Sequence, residues 1–548
     1  METTHTVSTY LIKKIHECGV KHIFGVPGDY VLGFYDQLIR EKSLEVINTC
    51  DELAAAFAAD AYARVSGLGV VCVTYCVGGL KVVNATAQAY AEKSPILVIS
   101  GAPGTKERTR NPLLHHMVRD YDTQKKIFEH ITVASTVLDK PDNAQAEIDR
   151  VLSNALRYKR PVYIELPRDV INSPVMSVSN DLINVGYEEP SDPLAMAEAV
   201  EEAAVMINTA ERPVIVAGVE IQRFGLQDEV LRFTEKTGIP VVATILSKSV
   251  ISEYHESYLG LYQGAMGDDS VRECVESSDC LILLGALMTD IDFGISATPI
   301  EQRNSIFVTS EKLSIRHHNF ENVRLNDFIQ NLINANLRTR RPMHLRHHES
   351  KNLSVSIGKK ITVQYLFDKL ASFITTDTIV IADVGDSLFG ALDLVIPHAT
   401  EFLAPAFYTS MGFAVPASIG AQLANPKLRP IVVVGDGAFQ MSGMEISSAV
   451  RYKLNPIVIV LNNGGYGTER RLLDGPFNDL QPWQYKSIPE IVGGGRGFVI
   501  DTEDEFENAL KVSFDYLEGF SLLDVRLDPN DESAALRRLT DVLGKRVR

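Results

Sequence analysis

The chain has 548 residues, of which 45% are hydrophobic and 22% are charged, proportions that are ordinary for a globular protein in water. A single hydrophobic core rarely grows beyond about 250–300 residues, so this length predicts several domains. The formal net charge of −17 argues against a nucleic-acid partner or an anionic membrane surface. The six cysteines show no CxxC pair, and no signal peptide or transmembrane-length stretch is visible, so we expect a cytoplasmic protein.

Residues 1–180 alternate predicted helices and strands. Strands that are separated by helices imply a doubly wound parallel sheet, and Pro167 follows the last strand of this first domain. The predicted helices are Val7–Cys18, Glu52–Arg64, Gly78–Ala91 and Ala144–Leu156. The predicted strands are Lys21–Val26, Leu44–Cys50, Gly69–Tyr75, Ile96–Ser100 and Val162–Leu166.

Two further α/β domains are predicted at residues 191–340 and 359–548, after linkers at residues 181–190 and 338–358. The central domain has the segment Ala217-Gly218-Val219-Glu220, which lacks the glycine fingerprint of a dinucleotide site, so we expect a scaffold role. Helical spacing predicts a C-terminal helix over Glu532–Val542. The predicted strands of the two domains are Val214–Ala217, Val241–Ile245, Leu281–Leu284, Ile306–Val308, Ile379–Ala382, Ile431–Val434, Ile457–Leu461 and Leu522–Val525.

The stretch Pro430–Glu469 is the most informative part of the third domain. Its two continuous apolar runs are typical of strands buried on both faces of a parallel sheet, and Gln440–Leu454 between them has helical spacing. The polar residues after each strand therefore meet at one edge of the sheet. These residues, Gly435-Asp436-Gly437 and Asn462-Asn463-Gly464-Gly465, offer oxygen ligands and bare backbone to a phosphate-bound divalent ion.

Gly435-Asp436-Gly437, followed after 24 residues by Asn462-Asn463, resembles the signature of enzymes that bind thiamine diphosphate (ThDP). An ordinary Rossmann-like unit with polar turns is the alternative. The resemblance implies three doubly wound α/β domains with mostly parallel sheets, in which a pyrimidine-binding and a diphosphate-binding domain flank a Rossmann-like central domain.

The same resemblance implies a cofactor site in the third domain. The side chains of Asp436 and Asn463 and the carbonyl of Gly465 would hold Mg²⁺, and two diphosphate oxygens and a water would complete the octahedron. Gly435, Gly437 and Tyr466 would lie beside the cofactor. Met411 aligns with the apolar residue that supports its bent shape, although a core methionine would look the same, and Thr409 would offer its carbonyl to the aminopyrimidine.

Glu52 is the candidate that activates the cofactor. It begins a predicted helix directly after a strand, which is a favourable place for a carboxylate, and a simple helix cap is the alternative. Asp51-Glu52-Leu53-Ala54 resembles the glutamate helix of the ThDP enzymes. The resemblance implies that Glu52 hydrogen-bonds the aminopyrimidine, so that the cofactor can become its ylide, the nucleophile of the reaction.

His115-His116 separates the subfamilies, although adjacent histidines also occur at His317 and at His347. The motifs that end at Asp29 (Gly-Val-Pro-Gly-Asp) and at Glu469 (Gly-Tyr-Gly-Thr-Glu) resemble the 2-oxo acid decarboxylases of the pyruvate, indolepyruvate and branched-chain types. The resemblance implies non-oxidative loss of CO2, through an enamine, with release of an aldehyde. Asp29, His115, His116 and Glu469 would move the protons that this requires.

The sequence departs from the family pattern at three places. Cys76 replaces a glycine near the pyrimidine, Tyr408-Thr409 replaces a Trp-Gly pair, and Asp386 replaces a threonine that approaches the diphosphate. A carboxylate beside a diphosphate should weaken cofactor binding unless it points away. The departures leave the reaction class unchanged and make the phosphate contacts the open question.

Substrate and assembly rest on the resemblance alone. It places Ile291, Leu388, Thr468 and Leu539 beside the substrate side chain, and Thr468 stands where a larger isoleucine is common, which favours branched-chain or aromatic 2-oxo acids. Pyruvate decarboxylase, a carboligase of the acetolactate synthase type and a catalytically silent scaffold are the alternatives. The resemblance also implies a homodimer at least, and a homotetramer built as a dimer of dimers.

Overall fold

The computed structural model describes residues 5–175, 190–292, 304–341, 355–397 and 402–547, with side chains up to Asp541. Both predicted linkers fall largely outside these ranges. The chain forms two compact units: the first contains the N-terminal part together with Val415–Lys427 and Ser442–Leu454, and the second contains the remainder. Within the described ranges, every helix is too short or too polar to span a bilayer.

The first unit is built on six parallel strands. They are β1 (His22–Gly25), β2 (Glu45–Asn48), β3 (Gly69–Val73), β4 (Ile96–Ala102), β5 (Ala134–Val137) and β6 (Val162–Pro167), in the order β2-β1-β3-β4-β6-β5. The helices are α1 (Val7–Glu17), α2 (Leu32–Glu41), α3 (Glu52–Ser66), α4 (Val83–Ala91), α5 (Thr105–Arg110), α6 (Thr123–Glu129) and α7 (Ala144–Tyr158). The sequence pattern missed β5 because this edge strand is short and buries only alternate residues.

The second unit contains two sheets. The central sheet comprises β7 (Pro213–Ala217), β8 (Val241–Ala243), β9 (Tyr258–Leu261), β10 (Cys280–Leu284), β11 (Ser305–Val308), β12 (Leu313–Ile315) and β13 (His318–Phe320), in the order β13-β12-β11-β10-β7-β8-β9. Only the pairs that involve β12 are antiparallel, so the prediction of mostly parallel sheets is confirmed.

The other sheet of the second unit is parallel throughout. It comprises β14 (Thr378–Ala382), β15 (Phe402–Leu403), β16 (Arg429–Gly435), β17 (Ile457–Asn462), β18 (Arg496–Ile500) and β19 (Ser521–Arg526), in the order β15-β14-β16-β17-β19-β18. As predicted, β16 and β17 are buried along nearly their whole length. The missed strands β15 and β18 lie at the two edges, where a strand needs little apolar character.

The remaining helices complete both units. They are α8 (Pro193–Thr209), α9 (Val219–Arg223), α10 (Gln227–Thr237), α11 (Asp269–Glu276), α12 (Leu325–Asn334), α13 (Val363–Ala371), α14 (Asp386–Leu392), α15 (Ala414–Ala424), α16 (Asp436–Ser442), α17 (Ser447–Arg451), α18 (Gly467–Leu472), α19 (Ile488–Val492), α20 (Glu503–Asp515) and α21 (Ala534–Val547). Helix α17, and α15 after its first residue, belong to the first unit.

The predicted single helix over Gln440–Leu454 is wrong in detail. Helix α16 begins earlier, at Asp436, and a 3₁₀ turn over Gly443–Ile446 separates it from α17. A glycine at the break is consistent with its low helix propensity.

Parallel strands bring the candidate residues to common edges. In the first unit, Asp29, Glu52, Cys76 and His115 follow β1, β2, β3 and β4, which are neighbours in the sheet. In the second unit, the loops after β14, β16 and β17 lie side by side in the same way. Each sheet therefore gathers its own set of polar residues beyond the carboxyl ends of its strands, as open α/β sheets do.

Candidate functional site

The first unit brings Asp29 and the two histidines together. The Nε2 atom of His115 lies 2.7 Å from an Asp29 carboxylate oxygen, and the rings of His115 and His116 are 4.6 Å apart. Ligating atoms of all three residues lie within 4.8 Å of one another, so the cluster could also bind a metal ion. The side chains of His115 and Asp29 are 57% and 43% exposed, so the cluster faces solvent in the single chain.

Tyr30 holds His115 in place, and sequence reasoning missed this residue. Its ring stacks on the His115 ring at 4.9 Å, and its hydroxyl donates to the His115 carbonyl at 3.4 Å. The Arg168 guanidinium lies 5.0 Å from the Tyr30 ring, and Glu107 in turn fixes Arg168 through two hydrogen bonds. Tyr30 therefore lies between a cation and an imidazole, which limits the positions that His115 can adopt.

Glu52 begins α3, and Asp51 caps that helix by accepting a hydrogen bond from the Leu53 amide at 2.8 Å. Lys81 is an unexpected neighbour. Its Nζ lies 2.6 Å from a Glu52 oxygen and also donates to Asp51, and these two hydrogen bonds raise the pKa of Lys81. No sequence signal connects Lys81 with Glu52, because a 3₁₀ turn 29 residues further along the chain carries it.

Glu445 supports the backbone just before Glu52. It is almost fully buried and accepts a hydrogen bond from the Cys50 amide at 2.9 Å. Burial raises the pKa of Glu445 from its ordinary value to about 7. Nearby, the Asn48 amide donates to the Tyr452 hydroxyl at 2.7 Å, so the segment Ser442–Leu454 supports the carboxyl end of β2.

Two departures from the family pattern occupy backbone positions that favour glycine. Cys76 has φ = 50° and Thr409 has φ = 56°, both in the left-handed region. Cys76 is buried, and its amide donates to Gln124 at 2.7 Å. This geometry explains why the family pattern has glycine at both positions. The present chain has a residue with a side chain at each, at the cost of local backbone strain.

The second unit contains a cradle around Asp436. One carboxylate oxygen accepts from the Gly464 and Gly465 amides at 2.7 and 3.1 Å, and the other accepts from Gly437 at 2.8 Å. Asn463 lies at its rim, where its side-chain oxygen is 3.3 Å from the Gly465 amide. Burial raises the pKa of Asp436 to about 6, and a cation beside the carboxylate would favour its charged form and lower this pKa again.

A cleft of about 880 Å³ opens beside this cradle. Of the predicted site residues, Met411, Gly435, Asp436, Gly437, Asn463, Gly465, Tyr466, Thr468 and Glu469 line it. Thr409 is exposed and is not among the lining residues. Leu388 and Leu539 are buried in the core and Ile291 packs against it, and these three residues do not line the cleft.

Asp383, which the sequence did not single out, organises the turn that carries Met411. This fully buried carboxylate accepts from the amides of Gly412 and Ala414 at 3.1 and 2.8 Å. Burial raises the pKa of Asp383 to about 6. The position of Met411 on the cleft wall therefore depends on a polar contact with the loop after β14.

The cleft fits a magnesium-bound diphosphate. A carboxylate, an amide oxygen and a backbone carbonyl form an all-oxygen ligand set, which suits a hard divalent cation. The buried hydroxyl of Ser387 faces the cleft without a hydrogen-bond partner. A Cβ added at Gly437 would lie 2.5 Å from the Tyr466 ring, and one at Gly465 would lie 2.2 Å from the Asn478 carbonyl, so both glycines are required by close packing.

Comparison with known proteins places these features in a family. The sequence model described as "Thiamine pyrophosphate enzyme, N-terminal TPP binding domain" matches residues 5–127, the central-domain model matches residues 200–335, and the C-terminal TPP binding domain model matches residues 383–525. The match to residues 5–127 contains the aspartate, glutamate and histidines of the first unit. The match to residues 383–525 contains the Asp436 cradle.

Relatives match over nearly the whole chain. An indole-3-pyruvate decarboxylase of Azospirillum brasilense is 35% identical over 540 residues, covering 96% of each chain. A probable pyruvate decarboxylase of Schizosaccharomyces pombe is 31% identical over 97% of this chain and 95% of its own. An alpha-keto-acid decarboxylase of Mycobacterium leprae is 30% identical over 98% and 96%. The chain therefore belongs to the thiamine diphosphate-dependent 2-oxo acid decarboxylases.

Proposed function

We propose that the protein converts a branched-chain or aromatic 2-oxo acid into an aldehyde and CO2. The contact of Asp29 with a pair of histidines carries this proposal. A reaction that loses CO2 without oxidation must return a proton to carbon, and this cluster offers groups that can move one. The indole-3-pyruvate and alpha-keto-acid decarboxylases among the relatives support the reaction, and the first of them supports an aromatic substrate.

The second unit would bind the cofactor. When bound, ThDP supplies a carbon nucleophile for the 2-oxo group and accepts the electrons that the departing CO2 leaves behind. Asp436, Asn463 and the Gly465 carbonyl would hold Mg²⁺, with Asn463 turning toward the ion. Met411 on the cleft wall would limit the shapes that the cofactor can take.

Glu52 would hold the proton at the far ring nitrogen of the aminopyrimidine. Its side chain is 14% exposed, which shields such a hydrogen bond from water while keeping the carboxylate reachable. The Glu445 contact with the Cys50 amide would keep this segment in place. Lys81 would have to leave Glu52, or share it, when the ring nitrogen arrives.

Four groups would carry the two later proton transfers. One proton goes to the carbon that has lost CO2, and another leaves the hydroxyl oxygen so that the aldehyde carbonyl can form. Asp29, His115 and His116 are held together in the first unit, and Glu469 projects from α18 at the cleft. Tyr30 would keep His115 oriented during both transfers.

The substrate preference can be tested with a panel. CO2 release would be measured from pyruvate, phenylpyruvate, indolepyruvate and 2-oxoisovalerate with ThDP and Mg²⁺. We expect the larger acids to have the higher kcat/KM, and absence of turnover with every acid would leave the silent-scaffold alternative. A carboligase of the acetolactate synthase type would also release CO2 but would form a condensation product in place of the aldehyde, so the organic product is identified in the same assay.

Thr468 provides a sharper test of the pocket, since it lines the cleft next to Glu469. We expect Thr468→Ile to shift kcat/KM toward pyruvate because the larger side chain takes space from the substrate. Thr376→Ile, at an exposed threonine elsewhere in the same unit, is the control and should not shift the preference. An unchanged preference in Thr468→Ile would show that this position does not set the pocket.

The working form is proposed to be a homodimer at least, and a homotetramer, in the cytoplasm. The resemblance implies that the first unit of one chain meets the diphosphate site of another. The exposure of Asp29 and His115 supports this arrangement, because proton transfer is more efficient in a site that excludes water. Exposed Leu473 and Phe477, near Glu469 in sequence, supply apolar surface for such a contact. Sedimentation velocity with and without ThDP and Mg²⁺ tests it.

A further inference from the structure

Asp386 stands where the family has a threonine near the diphosphate, and its carboxylate is committed elsewhere. It is the first residue of α14, and it accepts hydrogen bonds from both the amide and the hydroxyl of Ser533. The distance from the Asp386 carboxylate to the Ser533 nitrogen is 3.0 Å. Asp386 lines the cleft, but its carboxylate is turned toward the C-terminal segment, where the Ser533 amide and hydroxyl donate to it.

Ser533 is the residue just before α21. Its hydroxyl oxygen accepts a hydrogen bond from the Leu536 amide at 3.1 Å, so it caps the helix. The Ser533 hydroxyl thus donates to Asp386 and accepts from α21 at the same time. This pair joins α14 to the first turn of α21, and Leu536 in that turn lines the cleft.

The neighbouring residues attach the same segment to other walls of the cleft. Asp531 accepts from the Val363 amide at 2.7 Å, at the start of α13. Glu532 pairs with Arg471 at 2.8 Å, and Arg471 belongs to α18, which also carries Thr468 and Glu469. The segment before α21 is therefore held at three consecutive residues, of which the Asp386 contact with Ser533 is the one that also caps the helix.

We propose that Asp386 is a positioning residue that fixes the start of α21 as a wall of the substrate side of the cleft. This rests on the proposed function only in taking the cleft as the active site. The aspartate that replaces the threonine of the family then strengthens the closure of the pocket, and its carboxylate leaves the diphosphate contacts unaffected. If the carboxylate instead repelled the diphosphate, Asp386→Thr would bind ThDP more tightly.

The first test needs no turnover. Hydrogen exchange would be followed by mass spectrometry in peptides from residues 530–541 of the full-length protein without cofactor. Loss of a cap contact exposes the first turn more often, so we expect Asp386→Thr to exchange about fivefold faster there. Asp386→Asn keeps an acceptor for Ser533 and should restore most of the protection. Asp377→Thr changes an exposed aspartate of the same unit and should match wild type.

The second test separates closure from phosphate binding. We expect Asp386→Thr to raise KM for the best 2-oxo acid about fivefold, with kcat and the Kd of ThDP changed less than twofold. Unchanged exchange together with tighter ThDP binding would overturn the proposal in favour of repulsion. If Asp386→Thr does not fold, Ser533→Ala removes the other partner, and protection equal to wild type there would also overturn it. Failure of the proposed function would appear as absent turnover with the exchange result intact.

Discussion

The two sets of site residues differ in how much of their final environment one chain provides. In the second unit, Asp436 is 2% exposed and its carboxylate already accepts three backbone amides. In the first unit, Asp29 and His115 contact each other in the open, with about half of each side chain exposed. The cradle is preorganised within its own sheet, whereas Asp29 and His115, which are proposed to transfer protons, are brought together and left exposed.

The two sets of residues also differ in their electrostatic environment. Burial raises the pKa of Asp383, Asp386 and Asp436 to about 6 each, in the segments that follow β14 and β16 of the second unit. Of these, Asp436 is the carboxylate proposed to bind the cation, and a cation favours the charged form of a buried carboxylate. In the proposed oligomer, another surface would cover the exposed cluster. The difference teaches that cofactor binding and proton transfer should respond separately to substitution.

The largest expected effect is on cofactor binding in the second unit. Asp436→Asn removes the one anionic ligand of the proposed ion, so we expect the affinity for ThDP with Mg²⁺ to fall at least about 100-fold. Titration calorimetry measures this, and the only tryptophan, Trp483, offers a fluorescence signal in the same unit. Asp474→Asn, an exposed aspartate nearby, is the control. Binding at wild-type affinity would remove Asp436 from the metal site.

In the first unit, Asp29→Asn should leave cofactor binding intact and slow turnover. Loss of one proton-transfer group typically reduces kcat by about 10²–10⁴-fold. Steady-state kinetics and calorimetry on the same sample check both halves of this expectation. Asp36→Asn on α2 is the matched control, since this aspartate is exposed and pairs with Arg40. If Asp29→Asn also lost ThDP affinity, the expectation that cofactor binding and proton transfer respond separately would be wrong.

Glu445 tests the effect of burial on a carboxyl group in the first unit, the unit that also contains the exposed Asp29 and His115. Its pKa is raised from 4.5 to about 7, so the folded state binds this proton more tightly than the unfolded state. The stability that the proton provides is fully present below pH 4.5 and is lost as the pH rises through about 7. Relative to Glu445→Gln, wild type should lose about 3 kcal/mol of unfolding free energy between pH 4.5 and 8.

The measurement for Glu445 is denaturant unfolding of both proteins across that pH range. Glu41→Gln, an exposed glutamate of the same unit, should follow the wild-type pH dependence. Identical pH dependence in wild type and Glu445→Gln would mean that Glu445 is not buried as a neutral group. Because the two units need not unfold together, the transition of the first unit should be followed by hydrogen exchange.

The smallest effect concerns Lys81, whose ammonium occupies the Glu52 carboxylate. A partly exposed ion pair contributes about 0.2–1 kcal/mol, so Lys81→Met should tighten ThDP binding by at most about fivefold if the ring nitrogen competes for Glu52. Calorimetry at saturating Mg²⁺ is sufficient, with the exposed Lys21→Met as control. Weaker binding in Lys81→Met would show that the ammonium assists the cofactor rather than competing with it.

The resemblance of the sequence motifs to a known family was enough for the reaction class and the ThDP family, and local patterns were enough for the parallel-sheet domains. Local patterns carry this information: a continuous apolar run reports burial on both faces, and the spacing between Asp436 and Asn463 reports two neighbouring strand ends. Edge strands such as β5 and β18 escaped because they lack that apolar run. The roles of Glu52, Asp29, the histidines and Glu469 remain predictions that the geometry supports.

Tertiary structure decided the contacts that tune those residues. Lys81 at Glu52, Glu445 at the Cys50 amide and Ser533 at Asp386 join positions 29, 395 and 147 residues apart. Sequence periodicity does not predict such contacts, because the direction of a side chain depends on which strands become neighbours in the folded chain. The sequence determined that a carboxylate stands at position 386, and only the folded chain showed that it faces α21, where a hydroxyl and an amide satisfy it.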